Sequence, residues 1–269
     1  MAHWNSANGA FQQNTKSLHE TTAIVNRHGT VVDSFGGGKL YLEVAQGEHP
    51  EYSFVHKSGY NPTGGDGETI WMASNAYPWS AWGSSNNVLY IASDDDNVND
   101  RGLQVKIEGL DSNFEEVTET VTLNASDSTT AVTTANTFYR INRFYSDNGE
   151  VNQGVITARV TSGSGTVVEY IEENYGNSFT GIYSVPADKT AYVIKGNTST
   201  SFPNVIGFRV RLEGGAFRQV HVASVDNSVY DYEFPFPLPF PEKSDFEVML
   251  IEGGSRATCN FDLLIETNS

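Results

Sequence analysis

Hydrophobic and polar residues alternate with a period of two over much of this chain. Leu103, Val105 and Ile107 are separated by polar residues, and in the segment 117–123 valines and a leucine alternate with threonines. Successive side chains of a strand point to opposite faces, so this pattern predicts strands with one buried and one solvated face. Gly109–Asn113, between the two runs, has turn chemistry and predicts a β-hairpin.

Similar short runs, bounded by Gly, Asn, Asp and Ser, predict further strands, whereas the apolar spacing of an amphipathic helix is nearly absent. These observations favour an all-β fold of antiparallel β-sandwich or jelly-roll domains. The further predicted strands are Val88–Ala92, Phe138–Tyr145, Gly154–Val160, Thr166–Ile171, Gly181–Val185, Thr190–Lys195, Gly207–Glu213, Phe217–Ala223, Asp245–Ile251 and Asn260–Ile265.

Residues 1–50 differ from the rest because their apolar residues are widely spaced in polar sequence. The segment also contains the flexible triplet Gly36–Gly38. Such a segment cannot bury enough apolar surface to fold alone. It is either a mostly disordered tail or an extended arm that docks on a neighbouring subunit. Val31–Val32 and Leu40–Val44 are alternatively edge strands of the main body. The candidate docking residues of the arm are Trp4, Phe11, Leu18, Val31 and Val32.

The length of 269 residues suggests about two folded domains. We predict an extended N-terminal arm over residues 1–50, a β-sandwich domain over 51–176 and a second sandwich or jelly roll over 177–269. The boundary falls near Gly176.

Charge and composition narrow the range of partners. Lys and Arg total 16 against 33 Asp and Glu, a net charge of −17, which argues against binding nucleic acid or an anionic membrane. No apolar run reaches the roughly 18–20 residues of a transmembrane helix, and the N-terminus lacks the pattern of a signal peptide. We therefore expect synthesis in a cytoplasm. Cys259 is the only cysteine, so no intrachain disulfide is expected.

Catalytic and cofactor motifs are absent from the sequence. It contains no H-E-x-x-H, no G-x-S-x-G and no phosphate-binding loop, and its histidines lack zinc-ligand spacing. The pairs Glu115–Glu116 and Glu172–Glu173 are predicted to be solvated charges. Asp94–Asp100 resembles a calcium loop but lacks its Gly and closing Glu, so we predict a solvated turn without metal. We expect neither an enzyme nor a cofactor.

Two aromatic segments are candidates for interactions. The first contains Trp71, Trp79 and Trp82, which are suited to core or lid packing, to a subunit interface or to sugar binding.

The second aromatic segment is Tyr232–Pro241, where alternating prolines remove every second backbone donor and fix an extended conformation. It cannot be a central strand, and it is either a loop wedged between the two strand sets or an edge presented to a neighbour. Its candidate interface residues are Phe234, Phe236, Leu238 and Phe240.

Several blocks, taken in order, resemble a family of virion structural proteins of tailed phages that is common among viruses of marine bacteria. The resemblance covers residues 52–266 and leaves residues 1–50 uncovered. The main blocks are Lys57–Pro62, Glu68–Trp71, Tyr77–Trp79, Val105–Phe114, Glu119–Asn124, Thr129–Thr134, Phe138–Arg143, Tyr183–Tyr192 and Leu238–Asp245.

This resemblance implies a non-enzymatic virion component assembled in the cytoplasm of a host bacterium. The expected role is a capsid decoration or cement protein on the head exterior. Such a protein forms homo-oligomers, with a trimer favoured, and binds the major capsid protein or other virion proteins. The alternatives are a tail or neck component, such as an adaptor or fibre-attachment protein, and a module that binds host glycans.

Overall fold

The computed structural model describes residues 38–83 and 86–268 together with four short strands nearer the N-terminus. These strands are β1 (His3–Asn5), β2 (Ala10–Gln12), β3 (Ile24–Val25) and β4 (Val31–Val32). The helix α1 (Gly38–Ala45) follows, and a 3-10 turn covers Trp79–Trp82. The remaining strands are β5 (Tyr52–Asn61), β6 (Leu89–Ser93), β7 (Gln104–Leu110), β8 (Glu116–Thr122), β9 (Val132–Thr133), β10 (Arg140–Ser146), β11 (Ile156–Val160), β12 (Thr166–Ile171), β13 (Ile182–Ser184), β14 (Lys189–Thr200), β15 (Asn204–Arg211), β16 (Arg218–Val225), β17 (Val229–Phe240), β18 (Asp245–Glu252) and β19 (Ala257–Thr267).

The fold is therefore all-β with antiparallel pairing, as predicted. The predicted hairpin is β7–β8, paired from Gln104 with Thr122 to Leu110 with Glu116. The other predicted strands correspond to β6, β10–β16, β18 and β19, whereas β5, β9 and β17 were not predicted.

The chain divides into two compact units, Met1–Phe54 and Val55–Ser269. In the first unit, β1 pairs with β2 so that Trp4 lies opposite Phe11, and β3 pairs with β4. Val31–Val32 thus pairs with Ile24–Val25 in a two-stranded sheet, so the alternative that it forms an edge strand of the main body is wrong. Leu18 lies outside the described residues.

The alternative that Leu40–Val44 forms an edge strand is also wrong, because these residues lie in α1. Val44 is buried while Leu42 is 57% exposed, and Tyr41 packs edge-on against Phe54 with ring centroids 5.5 Å apart. Leu40, Leu42 and Val44 alternate with other residues along the sequence. A segment this short is consistent with both the period of a strand and the period of a helix.

The unit from Val55 onwards contains two hydrophobic cores. Sheets ordered β10-β7-β8 and β12-β11-β6-β9 supply most of the first core, in which Phe138, Phe144 and Leu103 are almost completely enclosed. Sheets ordered β13-β18-β15-β16 and β17-β14-β19-β5 supply the second, around Phe246 and Phe261.

The buried residues of the first core end at Ile182, and most of those of the second core begin at Tyr183. The exceptions are Ile70, which packs in the second core, and β5, which joins one of its sheets. Both cores lie inside one compact unit. The division into domains at residues 51–176 and 177–269 stays a prediction.

The proline-rich segment forms β17, which is an edge strand paired with β14. This outcome matches the alternative of an exposed edge. Val193 pairs with Leu238 and Lys195 pairs with Glu233, so the residues 234–237 bulge opposite Ile194 alone. At this bulge Phe236 is 88% exposed, whereas Phe240 is buried in the second core.

Candidate functional site

The outer side of the sheet β17-β14-β19-β5 carries rows of polar side chains, which we call the polar face. Lys195 on β14 lies between Glu233 of β17 and Asp262 of β19. One step along the sheet, Asn197 lies between Asp231 and Asn260. These residues share one face because they stand two apart on each strand. They line a groove of about 550 Å³.

A chain of hydrogen bonds crosses the polar face. His56 Nδ1 is 2.5 Å from Asp262 Oδ1, and Ser58 Oγ is 3.4 Å from His56 Nε2. The Ser58 hydroxyl donates to Asn260 Oδ1 at 2.7 Å, and Asn260 Nδ2 donates to Asn197 Oδ1 at 2.9 Å. The side-chain amide of Asn197 thus stands at the end of a chain that fixes its orientation.

The order Asp262–His56–Ser58 is that of an acyl-transfer triad, but its geometry is not that of an activated nucleophile. In a triad the serine hydroxyl donates to the histidine, whereas Ser58 donates to Asn260. The His56 side chain is also 65% exposed. We therefore interpret this series of hydrogen bonds as an arrangement that orients polar side chains.

At the β5 edge of the same sheet lies an aromatic hollow formed by Tyr60, Tyr175 and Phe179, with a volume of about 320 Å³. Tyr175 and Phe179 meet edge-on with ring centroids 5.7 Å apart, and Tyr175 is 49% exposed. The Tyr60 amide donates to the Phe179 carbonyl at 3.2 Å, which holds the segment around Phe179 against β5. Ser58, Gly59, Thr258 and Asn260 complete the wall.

A buried ionic cluster, which we call the seam, connects residues of the two cores. Arg140 of β10 binds Asp245 of β18 through two hydrogen bonds of 2.9 and 3.1 Å, and both side chains are almost fully enclosed. Arg211 and Ser184 also bind Asp245. Burial raises the pKa of the Asp245 carboxyl, but the bonds and charges of Arg140 and Arg211 outweigh burial and hold it below its usual value.

A second carboxylate of the seam, Glu247, is completely buried. It accepts hydrogen bonds from Thr69 Oγ1 at 2.5 Å, Trp79 Nε1 at 2.7 Å and Arg209 Nη2 at 2.8 Å. Since a buried charge is tolerated only when it is paired and hydrogen-bonded, these partners explain why the cluster can lie inside the protein.

The predicted tryptophan site is divided by the structure. Trp71 and Trp82 are enclosed in the first core, which matches the packing alternative and leaves no exposed side chain for an interface or a sugar. Trp79 is half-buried beside a cleft of about 660 Å³. The guanidinium carbons of Arg140 and Arg211 lie 5.3 and 4.9 Å from its ring centroid. These cations occupy the space around the ring in which a sugar would stack.

Carboxylates of the acidic loop Asp94–Asp100 bind other groups of the protein. Asp96 pairs with Arg101 and accepts from the Ser128 amide, and Asp94 accepts from the Val155 amide. Asp100 is buried rather than solvated, and it accepts from the Ser93 hydroxyl at 2.8 Å. Within the described part of the chain, no cluster of three or more His, Cys, Asp or Glu residues is arranged to hold a metal.

The remaining predicted residues have mixed surroundings. Glu115, Glu116 and Glu173 are exposed and Glu172 is half-buried, in agreement with solvated charge. Phe234 and Leu238 are half-buried against the second core. Of the predicted interface side chains in the described sequence from residue 40 onwards, Phe236 is the most exposed. No helix in the described residues is long and apolar enough to cross a membrane.

No protein-family model and no curated protein matches this chain. Two solved structures of variants of a family 29 carbohydrate-binding module, made to study ligand recognition, are similar to it at 15% and 14% identity. Each covers 47% of this chain, and the match spans 72% and 71% of the respective module, with a TM-score of 0.19 in both cases. The class that the fold defines is an antiparallel all-β protein.

Sequence reasoning missed the polar face and the aromatic hollow. His56, Asn197 and Asn260 come from strands far apart in the sequence, and a solvated face of any sandwich is polar. The one available signal was the alternation of His56, Ser58 and Tyr60, which marks β5 as a strand with a distinct outer face.

Proposed function

We propose that this chain is a non-catalytic structural subunit of a tailed-phage particle, a capsid decoration or cement protein that associates with its own copies and with the coat. The observation that supports this proposal best is Phe236, which is 88% exposed at the bulge of the edge strand β17. The ordered resemblance of residues 52–266 to virion structural proteins supplies the biological setting.

Physical chemistry supports an assembly role for this side of the second core. Soluble proteins usually protect or cover open strand edges, and a large exposed aromatic ring is costly in water. Val222 of the neighbouring edge strand β16 is also 50% exposed. A stable subunit contact would bury roughly 1,200–2,000 Å² in total.

The test combines the solution mass of the purified full chain with its copy number in purified particles. Sedimentation velocity is expected to show an oligomer, and quantitative mass spectrometry is expected to show hundreds of copies per particle. About a dozen copies or fewer would instead favour the neck or tail tip. A chain that stays monomeric and is absent from particles contradicts the proposal.

A second candidate function is saccharide binding at the polar face. The observation that favours it is the groove of about 550 Å³ in which Lys195, Asn197 and Asp231 lie side by side. Amide, ammonium and carboxylate groups are suitable partners for sugar hydroxyls.

A glycan array tests the second candidate directly. If the polar face binds a saccharide, Asn197→Ala is expected to abolish the array signals, because it removes the oriented amide. The matched control Asn99→Ala changes an exposed residue of the acidic loop and is expected to leave the signals unchanged. An array without signals for the unmodified chain excludes this candidate for the glycans tested.

A further inference from the structure

We propose that two copies of this chain associate head to tail, with Phe236 of one copy inserted into the aromatic hollow of the other. This inference rests on the proposed structural function and specifies its contact. It follows from a feature of one sheet, in which the exposed ring and the hollow lie at opposite edges, on β17 and β5.

Phe236 is presented in a fixed position. The bulge places four residues of β17 opposite Ile194 alone, and Phe236 projects from it. Proline fixes its own backbone φ near −65°, and proline residues precede and follow Phe236. Little backbone entropy therefore remains to be lost on binding, which favours affinity.

The hollow is suited to an aromatic ring. Its volume of about 320 Å³ is roughly twice that of a 150 Å³ cavity that takes up benzene. Tyr175 and Phe179 already meet edge-on at 5.7 Å, and a third ring in the corner between them can adopt the same preferred geometry. Transfer of the exposed Phe236 ring from water into this hollow removes apolar surface from solvent, which favours association.

A contact between two different surfaces of the same chain is heterologous, so an open assembly keeps one unused Phe236 at one end and one unused hollow at the other until a ring closes. The trimer that the resemblance implies would be one such closed ring, in which every Phe236 and every hollow is occupied. A two-fold dimer would instead require Phe236 and the hollow to belong to one self-complementary patch, whereas they lie at opposite edges of the sheet.

The experiment measures self-association of the full chain by sedimentation velocity over a concentration series. Phe236→Ser and, separately, Tyr175→Ala are expected to weaken association at least tenfold. Phe202→Ser removes another exposed phenylalanine outside the proposed contact and is expected to associate like the unmodified chain. Circular dichroism establishes that each variant is folded.

A photo-crosslinker identifies the partner surface. p-Benzoylphenylalanine placed at position 236 keeps an aromatic group there and is expected to crosslink to the peptide containing Tyr175 and Phe179 of a second copy. The same group at position 202 is expected to give no such product.

The outcomes separate this inference from the proposed function. If the unmodified chain oligomerises but Phe236→Ser associates normally, or the crosslink maps elsewhere, the head-to-tail contact is wrong while a structural subunit remains. If Tyr175→Ala abolishes saccharide binding and leaves association unchanged, the hollow is a sugar subsite and the inference is overturned. A chain that is monomeric throughout and absent from particles overturns both proposals.

Discussion

Glu169 is a carboxyl group enclosed between the strands of the first core. Thr180 Oγ1 donates to its Oε2 at 2.8 Å, whereas its Oε1 has no hydrogen-bond partner among the described residues. Burial raises the pKa of Glu169 to about 7, although the charge of Lys57 acts in the opposite direction. Burial likewise lowers the pKa of Lys57, whose ammonium group donates to the Asn142 carbonyl at 2.5 Å.

This environment predicts a pH-dependent stability. Because the pKa of Glu169 is higher in the folded state than in the unfolded state, the folded protein binds more protons between about pH 4.5 and 7. The group's contribution is fully present below the unfolded pKa and is lost as the pH rises through the folded pKa, by an amount on the order of 3 kcal/mol. Glu169→Gln is expected to remove this loss and to stabilise the protein at pH 8.

Urea unfolding at pH 5, 6, 7 and 8 measures this effect. Glu150→Gln, which changes an exposed glutamate, serves as the control and is expected to keep the pH dependence of the unmodified chain. Equal pH dependence in Glu169→Gln and the unmodified chain would contradict the assigned role of Glu169.

Arg140 provides a second prediction at the scale of the residue. Arg140→Met leaves the buried Asp245 without its bidentate partner, and the free energy of unfolding is expected to fall by about 3–5 kcal/mol. Arg101→Met breaks an exposed pair with Asp96 and is expected to lower the free energy of unfolding far less, because solvent screens an exposed ion pair. Urea denaturation of both variants checks the contrast, and comparable losses would show that burial of the Arg140 pair is not decisive.

At the level of the individual strand, the packing of β5 depends on a missing side chain. A Cβ added at Gly59 would lie 2.4 Å from the Ile70 carbonyl oxygen and 2.7 Å from the Gly181 nitrogen. Both are backbone atoms that cannot move aside as a flexible side chain would. Glycine therefore allows β5 to approach these segments closely.

Gly59→Ala is accordingly expected to lower the free energy of unfolding by at least about 1–3 kcal/mol, because the strand must shift to admit a methyl group. Gly163→Ala, where the nearest atom is the small Ala131 side chain at 3.1 Å, is expected to cost less. Thermal unfolding of the two variants provides the comparison. Identical melting temperatures would mean that β5 tolerates displacement.

The individual strands and the helix show how much of the structure can be predicted from the sequence alone. Alternation located most strands because one face of each packs on a core, as in β7, where Val105 and Ile107 are buried. Alternation failed for α1, because its few residues fit the helix period as well as the strand period. The strand β17 was not predicted because its prolines disrupt the alternation of apolar and polar residues. The polar face was not predicted because its residues are brought together only by strand order, which alternation does not encode.

At the scale of the whole molecule, the division at Phe54 and Val55 predicts that the body is stable without most of the N-terminal unit. Deletion of residues 1–51 retains all of β5 and is expected to leave the circular dichroism and the unfolding transition of the body largely unchanged. Incorporation into phage particles is expected to be lost if the N-terminal unit docks on a neighbour. Truncated protein found in particles at full occupancy would refute the docking role.

The position of Cys259 has a practical consequence. Its sulfur faces the narrow space left by Gly59 and Gly181, it is completely buried, and burial raises the pKa of its thiol to about 12. A thiol in this state reacts with reagents only when the surrounding strands separate. The chain contains a single cysteine. The rate at which a colorimetric thiol reagent labels it therefore measures the opening of the second core. Slower labelling inside assembled particles than in free subunits would measure how much the neighbours restrain that opening.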